Sequence, residues 1–243
     1  MLVFIIPLKS SSVSDDWSKT CKLFEKCIRS VCGQTSNAFK VVVVCNEIPE
    51  INFKHHNIDY EVVNFKPPQK ASRLVRNTDK GKRILKGMFS AKKYSPSHVM
   101  VVDADDYISN RLAAFVEKRT HANGWYVNKG FKYINEDLYV YPKYRNFHWM
   151  CGTSNILNFQ LLELPGLPEY NRGYGYYKFY IDHRKIREVM EQRGFPIKAL
   201  PFPGTIYVLA TGENNSKNEE KLSFNFLFRK KLSCKLRQEF GLL

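Results

Sequence analysis

His98-Val99-Met100-Val101-Val102-Asp103-Ala104-Asp105-Asp106-Tyr107-Ile108 is the stretch that decides how the chain is read. Val99, Met100, Val101 and Val102 form an unbroken apolar run that stops at Asp103. A short apolar run without alternation reads as a strand buried on both faces, as in a parallel sheet. In such sheets ligands sit beyond the carboxyl ends of the strands, which is where these aspartates stand. Alternate residues of an extended chain point to one side, so Asp103 and Asp105 are expected to face a single spot. Two hard oxygen donors there suit Mn²⁺ or Mg²⁺. An ion so held bridges the oxygens of a diphosphate and neutralises the charge that builds on a departing nucleotide. The plain alternative is a solvated turn of three aspartates, since a D-x-D alone is a weak signal. Its place after a buried strand favours the ligand reading.

Outward from this stretch the pattern is α/β. Residues 2–8 are an apolar run that reads as the first buried strand. Asp15 or Asp16 can cap the helix that follows. In it Trp17, Cys21, Phe24, Ile28 and Val31 recur at spacings of three and four, which makes one apolar stripe, and Gly33 ends it. Residues 41–44, all valine, are the second buried strand, and residues 60–65 alternate as a third. A basic helix is expected over 80–94. Strand, helix, strand, strand, helix, strand is the order that yields a mainly parallel sheet. The polar residues past each strand are then the candidates for binding: Lys9, then Asn46 and Glu47, then Asp103, Asp105 and Asp106. Further on, residues 124–144 alternate as antiparallel strands do. Residues 182–193 read as a polar helix with Ile186, Val189 and Met190 on one face. Residues 200–207 read as a strand, and 211–220 as an Asn-rich loop.

Lysine and arginine number 38 against 23 aspartates and glutamates, a net charge of +15. That balance suits an anionic partner, whether nucleotide, nucleic acid or acidic membrane. The apolar share of 44% is enough for a sizeable core and argues against disorder. The six cysteines contain no C-x-x-C pair, so no zinc or redox motif is indicated. They read as buried thiols in a reducing compartment. The apolar start is too short for a signal sequence or a membrane span, and the cytoplasm is the expected location.

Residues 27–47, C-I-R-S-V-C-G-Q-T-S-N-A-F-K-V-V-V-V-C-N-E, resemble the opening of family 2 glycosyltransferases with the GT-A fold. Residues 99–109, V-M-V-V-D-A-D-D-Y-I-S, are similar to that family's D-x-D segment, at a similar distance along the chain. The match is good over about the first 110 residues and loose after them. The resemblance implies a GT-A-like domain over 1–221, with a nucleotide-binding half (1–110), an acceptor half (111–221), and a basic amphipathic tail at 222–243. It implies that Pro7, Leu8 and Lys9 line the nucleoside pocket. Asp105 would ligate the metal, and Asp103, beside Ala104, would contact ribose or metal. Asp79, Lys82 and Arg83 would contact base and phosphate. The family usually has Asp-Asp after the second strand; Cys45-Asn46 stands here, and the Asn46 carbonyl can still accept from a uracil N–H.

Trp149, Gly152, Thr153 and Ser154 resemble the small-residue segment beside the donor sugar, where an ordinary turn is the alternative. Asp182 falls where inverting members keep a catalytic carboxylate, and as general base it would take the acceptor hydroxyl's proton. Its alternative is to cap the following helix. His183 is a candidate metal ligand or acceptor contact. Gly212 to Ser216 falls where members of the fold often close the site with a loop, though no histidine stands there.

The expected activity is metal-dependent transfer from a nucleotide-diphosphate sugar, UDP-linked, to a carbohydrate or lipid-linked hydroxyl, with inversion. A nucleotidyltransferase acting on a sugar phosphate is the alternative enzyme. It is disfavoured because Ile6-Pro7-Leu8-Lys9-Ser10 lacks the glycine-rich loop of that class. A nucleic-acid-binding module is the third reading, and no familiar motif supports it. The tail mixes Phe and Leu with cations. It reads either as a segment lying peripherally on an anionic membrane, at its inner face, or as a terminal helix packed on the domain.

Overall fold

The computed structural model describes residues 1–69, 72–134, 136–209 and 228–242. The run at the start becomes β1 (Leu2–Pro7), with Leu2 to Ile6 wholly buried. Helix α1 (Trp17–Cys32) follows, N-capped by Asp16, whose carboxylate accepts from the Lys19 N–H at 2.9 Å, and it ends at Gly33. Next come β2 (Phe39–Cys45), β3 (Ile58–Val62), α2 (Arg73–Ala91) and β4 (His98–Val101). β1 lies between β2 and β4, parallel to both, and β3 adds parallel outside β2. α1 covers one face through Phe24, Cys27, Ile28 and Val31. α2 covers the other through Ile84, Met88 and Ala91. Its close approach depends on Gly87, where a Cβ would lie 2.5 Å from Ile5 Cγ2.

Two boundaries differ from expectation. β3 sits two residues earlier than 60–65, because it is an edge strand whose half-exposed residues set no sharp limit. α2 begins at Arg73 rather than at residue 80, capped by Ser72. Its first turn is exposed and therefore carries no apolar stripe.

The chain then crosses between two sheets. β5 (Tyr107–Ile108) and α3 (Leu112–Glu117) precede β6 (Gly124–Tyr126), β7 (Gly130–Ile134), β8 (Tyr139–Lys143) and β9 (Asn155–Asn158). After them lie α4 (Tyr174–Ile181), α5 (Ile186–Gln192), β10 (Lys198–Ala199), β11 (Thr205–Leu209), β12 (Lys230–Lys231) and α6 (Cys234–Phe240). The first sheet has the order β10-β6-β9-β4-β1-β2-β3, and the second β12-β8-β7-β11-β5. β9 runs antiparallel to both β4 and β6. The expected antiparallel stretch 124–144 is therefore divided: β6 joins the first sheet, and β7 with β8 forms a hairpin in the second. The strand expected at 200–207 is β11, five residues later and wholly interior.

The helix expected over 182–193 is α5, which starts four residues later at Ile186, and Asp182 is the C-cap of the preceding α4 rather than the N-cap of α5. In the tail Leu232, Leu236, Phe240 and Leu242 are buried with Phe131, Val140, Ile206 and Val208. The described tail thus packs as a terminal helix, and these apolar side chains are not available to a bilayer. Residues 211–220 and 222–227, with Gly212 to Ser216, lie outside the described residues. Five cysteines are buried, as expected, while Cys234 is exposed. Among the described residues no helix is long and apolar enough to cross a membrane.

Candidate active site

The acidic residues sit where the chain leaves β4 in the first sheet and enters β5 in the second. They do not continue the strand. The Asp106 N–H donates to the Asp103 carbonyl at 3.1 Å, which closes a turn over 103–106. The turn, and not strand alternation, sets where the three carboxylates go.

Asp106 goes inward and is wholly buried. Its Oδ2 accepts from the Thr153 hydroxyl at 2.6 Å and from the Cys151 thiol at 3.2 Å, and its Oδ1 accepts from the Val208 N–H at 3.2 Å. Burial pushes this carboxyl well above the usual range, and the charges of Asp105 and Asp103 push it further. The Thr153 Oγ1 also accepts from the Asp103 N–H at 2.9 Å. Thr153 is therefore a strut beneath the turn. It and Ser154 are both 0% exposed, which corrects their expected role as sugar contacts. Gly152, next to them, lies against the Asp103 carboxylate: a Cβ there would lie 2.6 Å from Asp103 Oδ2. Trp149 stands 60% exposed in a single 3-10 turn, with its ring against His148.

Asp103 and Asp105 are half-buried rather than interior. Asp103 pairs with the Lys80 ammonium, and both side chains are largely screened from solvent. Asp105 is pushed up to about 7, first by burial and then by the Asp103 charge, against the pull of Lys80 and Lys9. Burial lowers Lys80, yet the charges of Asp103, Asp105 and Asp106 outweigh it and leave the ammonium raised. The end of β1, the second turn of α2 and the turn after β4 thus bring opposite charges together at one rim.

Several expected contacts point elsewhere. Leu8 is 1% exposed and packs in the core, so it does not line a pocket. Pro7 closes β1 and is half-buried. Glu47 accepts from the Ser10 hydroxyl at 3.3 Å and from the Ser11 N–H, which holds the loop after β1. The Asn46 amide donates to the Val63 and Phe65 carbonyls at 3.0 and 2.8 Å, and its Oδ1 accepts from Arg83 at 2.7 Å. Arg83, 1% exposed, also donates to Asp79 at 2.9 Å. Asn46, Arg83 and Asp79 are consequently an internal brace between α2 and the loops after β2 and β3. The carbonyl expected to read a base is engaged by Arg83 instead. Lys82 lines an outer groove with Asp79, Lys66, Thr78 and Tyr174.

The residue that sequence reasoning missed is Lys80. With α2 running from Arg73, Lys80 heads the line Lys80, Ile84, Met88, whose two apolar members are buried against the sheet. That i, i+4 spacing was a usable signal once the helix start was known. A cavity opens beside it, lined in part by Lys80, Gly152, Asn155 and His183. The Asn155 Oδ1 and His183 Nε2 make no hydrogen bond there, while the Asn155 amide holds the His183 carbonyl at 3.1 Å. Burial, and then the Lys80 charge, lowers the His183 pKa. Asp182, the residue before it, accepts from the Arg184 Nε at 3.3 Å.

No three His, Cys, Asp or Glu side chains among the described residues converge as a complete metal cage. The pair Asp103 and Asp105 nonetheless fits a hard divalent ion. Both donors are carboxylate oxygens, and burial and then the like-charged Asp103 disfavour the Asp105 carboxylate, a penalty that a cation relieves. Mg²⁺ keeps water and substrate phosphates as its remaining ligands, so two carboxylates suffice.

No family model matches the chain, and no curated protein matches it either. Solved structures do. TarS of S. aureus aligns with 87% of this chain at 12% identity and a TM-score of 0.50. A shorter piece of TarS aligns with 85% of this chain and 60% of its own length, at 12% identity and a TM-score of 0.49. HddC of Yersinia pseudotuberculosis, complexed with GMP-PN, covers 86% of this chain and 89% of its own at 14% identity, with a TM-score of 0.38. The chain spans 37% of the length of TarS. The likeness to TarS is one of fold, and the fold is of the GT-A type.

Proposed function

We propose that this GT-A-type chain moves a sugar from a nucleotide-diphosphate sugar, UDP-linked, to a hydroxyl of a carbohydrate or lipid-linked acceptor, with inversion at the anomeric carbon. One observation carries the reading: Asp103 and Asp105 stand on a tight turn at the carboxyl end of β4, facing Lys80 and within the field of Lys9. Asp105 and Asp103 would hold Mn²⁺ or Mg²⁺, which supplies charge to the diphosphate as it leaves. Lys9, at the end of β1, brings positive charge to the nucleotide side. Gly152, having no side chain, lets the Asp103 carboxylate lie against its backbone, where a Cβ would be 2.6 Å from Oδ2.

In the transfer the acceptor oxygen attacks the anomeric carbon. The bond from that carbon to the phosphate oxygen breaks, and its electron pair leaves with the nucleotide diphosphate. The acceptor's proton goes to the Asp182 carboxylate. Support for Asp182 is its place at the end of α4, beside His183, which feels the charges of Lys80 and Asp103.

The test is release of UDP from a panel of UDP-sugars, with Mn²⁺ and with EDTA. Metal-dependent release supports the reading. Pyrophosphate release from UTP and a sugar phosphate replaces it with nucleotidyl transfer. Salt-sensitive binding to random DNA, with neither activity, replaces it with a nucleic-acid module.

A further inference from the structure

Asp103 is confined on two sides. One carboxylate oxygen, Oδ1, is taken by the Lys80 ammonium. The other, Oδ2, lies over Gly152, so close that a Cβ there would be 2.6 Å away. The backbone below is pinned by Thr153. A cation that binds Asp103 at Oδ1 therefore competes with Lys80 for that oxygen, while the Thr153 bond to the backbone and the close Gly152 backbone hold the carboxylate in place. Lys80 can move: it sits on a four-carbon stem with free rotation, and it lines the cavity bordered by Gly152, Asn155 and His183.

We infer that Lys80 is the resident counter-ion of the acidic turn, and that it passes from Asp103 to the diphosphate when nucleotide and metal arrive together. Without nucleotide, Lys80 and a divalent ion compete for Asp103, so the protein alone binds Mn²⁺ weakly. With nucleotide, the ammonium finds new oxygens on the diphosphate, and the metal takes its place on Asp103. The positive charge beside the carboxylates is never lost, only exchanged. This rests on the nucleotide-sugar reading above.

The experiment is a Mn²⁺ titration of the full chain by electron paramagnetic resonance without nucleotide, followed by UDP titration calorimetry in Mn²⁺. Wild type, Lys80→Met, Lys80→Gln and Lys80→Arg are compared, with thermal melts to show that each is folded. Two neutral variants keep the test open if one fails to fold. The neutral variants should bind Mn²⁺ alone at least about tenfold more tightly, since loss of a half-buried counter-ion leaves Asp103 unpaired. They should bind UDP with Mn²⁺ about tenfold more weakly, since a charge-assisted contact is lost. Lys80→Arg should keep the weak metal binding of wild type. Unchanged or weaker Mn²⁺ binding in folded Lys80→Met and Lys80→Gln overturns the inference, as does unchanged UDP affinity. If wild type binds no nucleotide with any metal, the transferase reading falls, and the hand-over falls with it. If UDP binds wild type and the neutral variants alike, only the role of Lys80 falls.

Discussion

The two halves of the chain contribute different things to one rim. Residues 1–110 supply charge: Lys9 after β1, Lys80 on α2, and Asp103 and Asp105 after β4. Residues 111–242 supply shape: Gly152 against Asp103, and Thr153, Cys151 and Val208 around Asp106. The turn over 103–106 is where the two meet, and adjacent aspartates are put to opposite uses. Asp105 keeps an exposed edge, while Asp106 is folded into the join between the sheets. The lesson is that an acidic triplet is not three equivalent ligands. The second half of the chain decides which carboxylate stays free.

The sharpest break in this comparison is Asp105→Ala. Transfer should fall at least about a thousandfold, roughly 4 kcal/mol of barrier, with a thermal midpoint close to wild type; initial rates and a melt check both halves of that statement. Asp106→Ala should do the reverse. It removes the buried acceptor of the Val208 N–H, the Thr153 hydroxyl and the Cys151 thiol, so denaturant unfolding should show a loss of about 3 kcal/mol. A smaller change should come from Asp182→Asn, about a hundredfold in kcat with UDP affinity retained, read by steady-state kinetics beside calorimetry; a near-wild-type rate would assign the proton to another group.

Proton competition comes next. Burial and Asp103 raise Asp105 to about 7, so its neutral form dominates below that pH and its carboxylate above. A metal needs the carboxylate. Mn²⁺-dependent UDP affinity should therefore be fullest above about pH 7 and fall as pH drops, by up to about tenfold per unit; calorimetry from pH 5.5 to 8.5 gives the slope, and a flat profile counts against Asp105 as ligand. The mildest change is Gly152→Ala. Its added methyl pushes on the Asp103 carboxylate, and transfer should slow about fivefold, near 1 kcal/mol, with little effect on the melt.

How much of this was legible follows from how local each cause is. β1, β2 and β4 were readable because strands buried on both faces must be apolar throughout. Asp16 and Gly33 marked the ends of α1 because a helix end needs a partner for its own backbone groups. The start of α2 was not readable, since its first turn is solvated and shows no stripe, and Lys80 was missed with it. Leu8, Asn46 and Arg83 looked available in sequence. Leu8 turns toward α1, and Asn46 with Arg83 is consumed in bracing α2. Thr153 and Ser154 read as small residues open to a sugar, and packing placed both inside.

From the order of residues alone came a buried parallel sheet with acidic groups past its fourth strand, because burial on two faces and chain stops are short-range demands. Only the tertiary structure chose among those groups. Val208 donates to Asp106 from 102 positions along the chain, and Gly152 crowds Asp103 from the far side of β4. Such contacts depend on how two sheets cross, and no local pattern encodes where distant strands will meet.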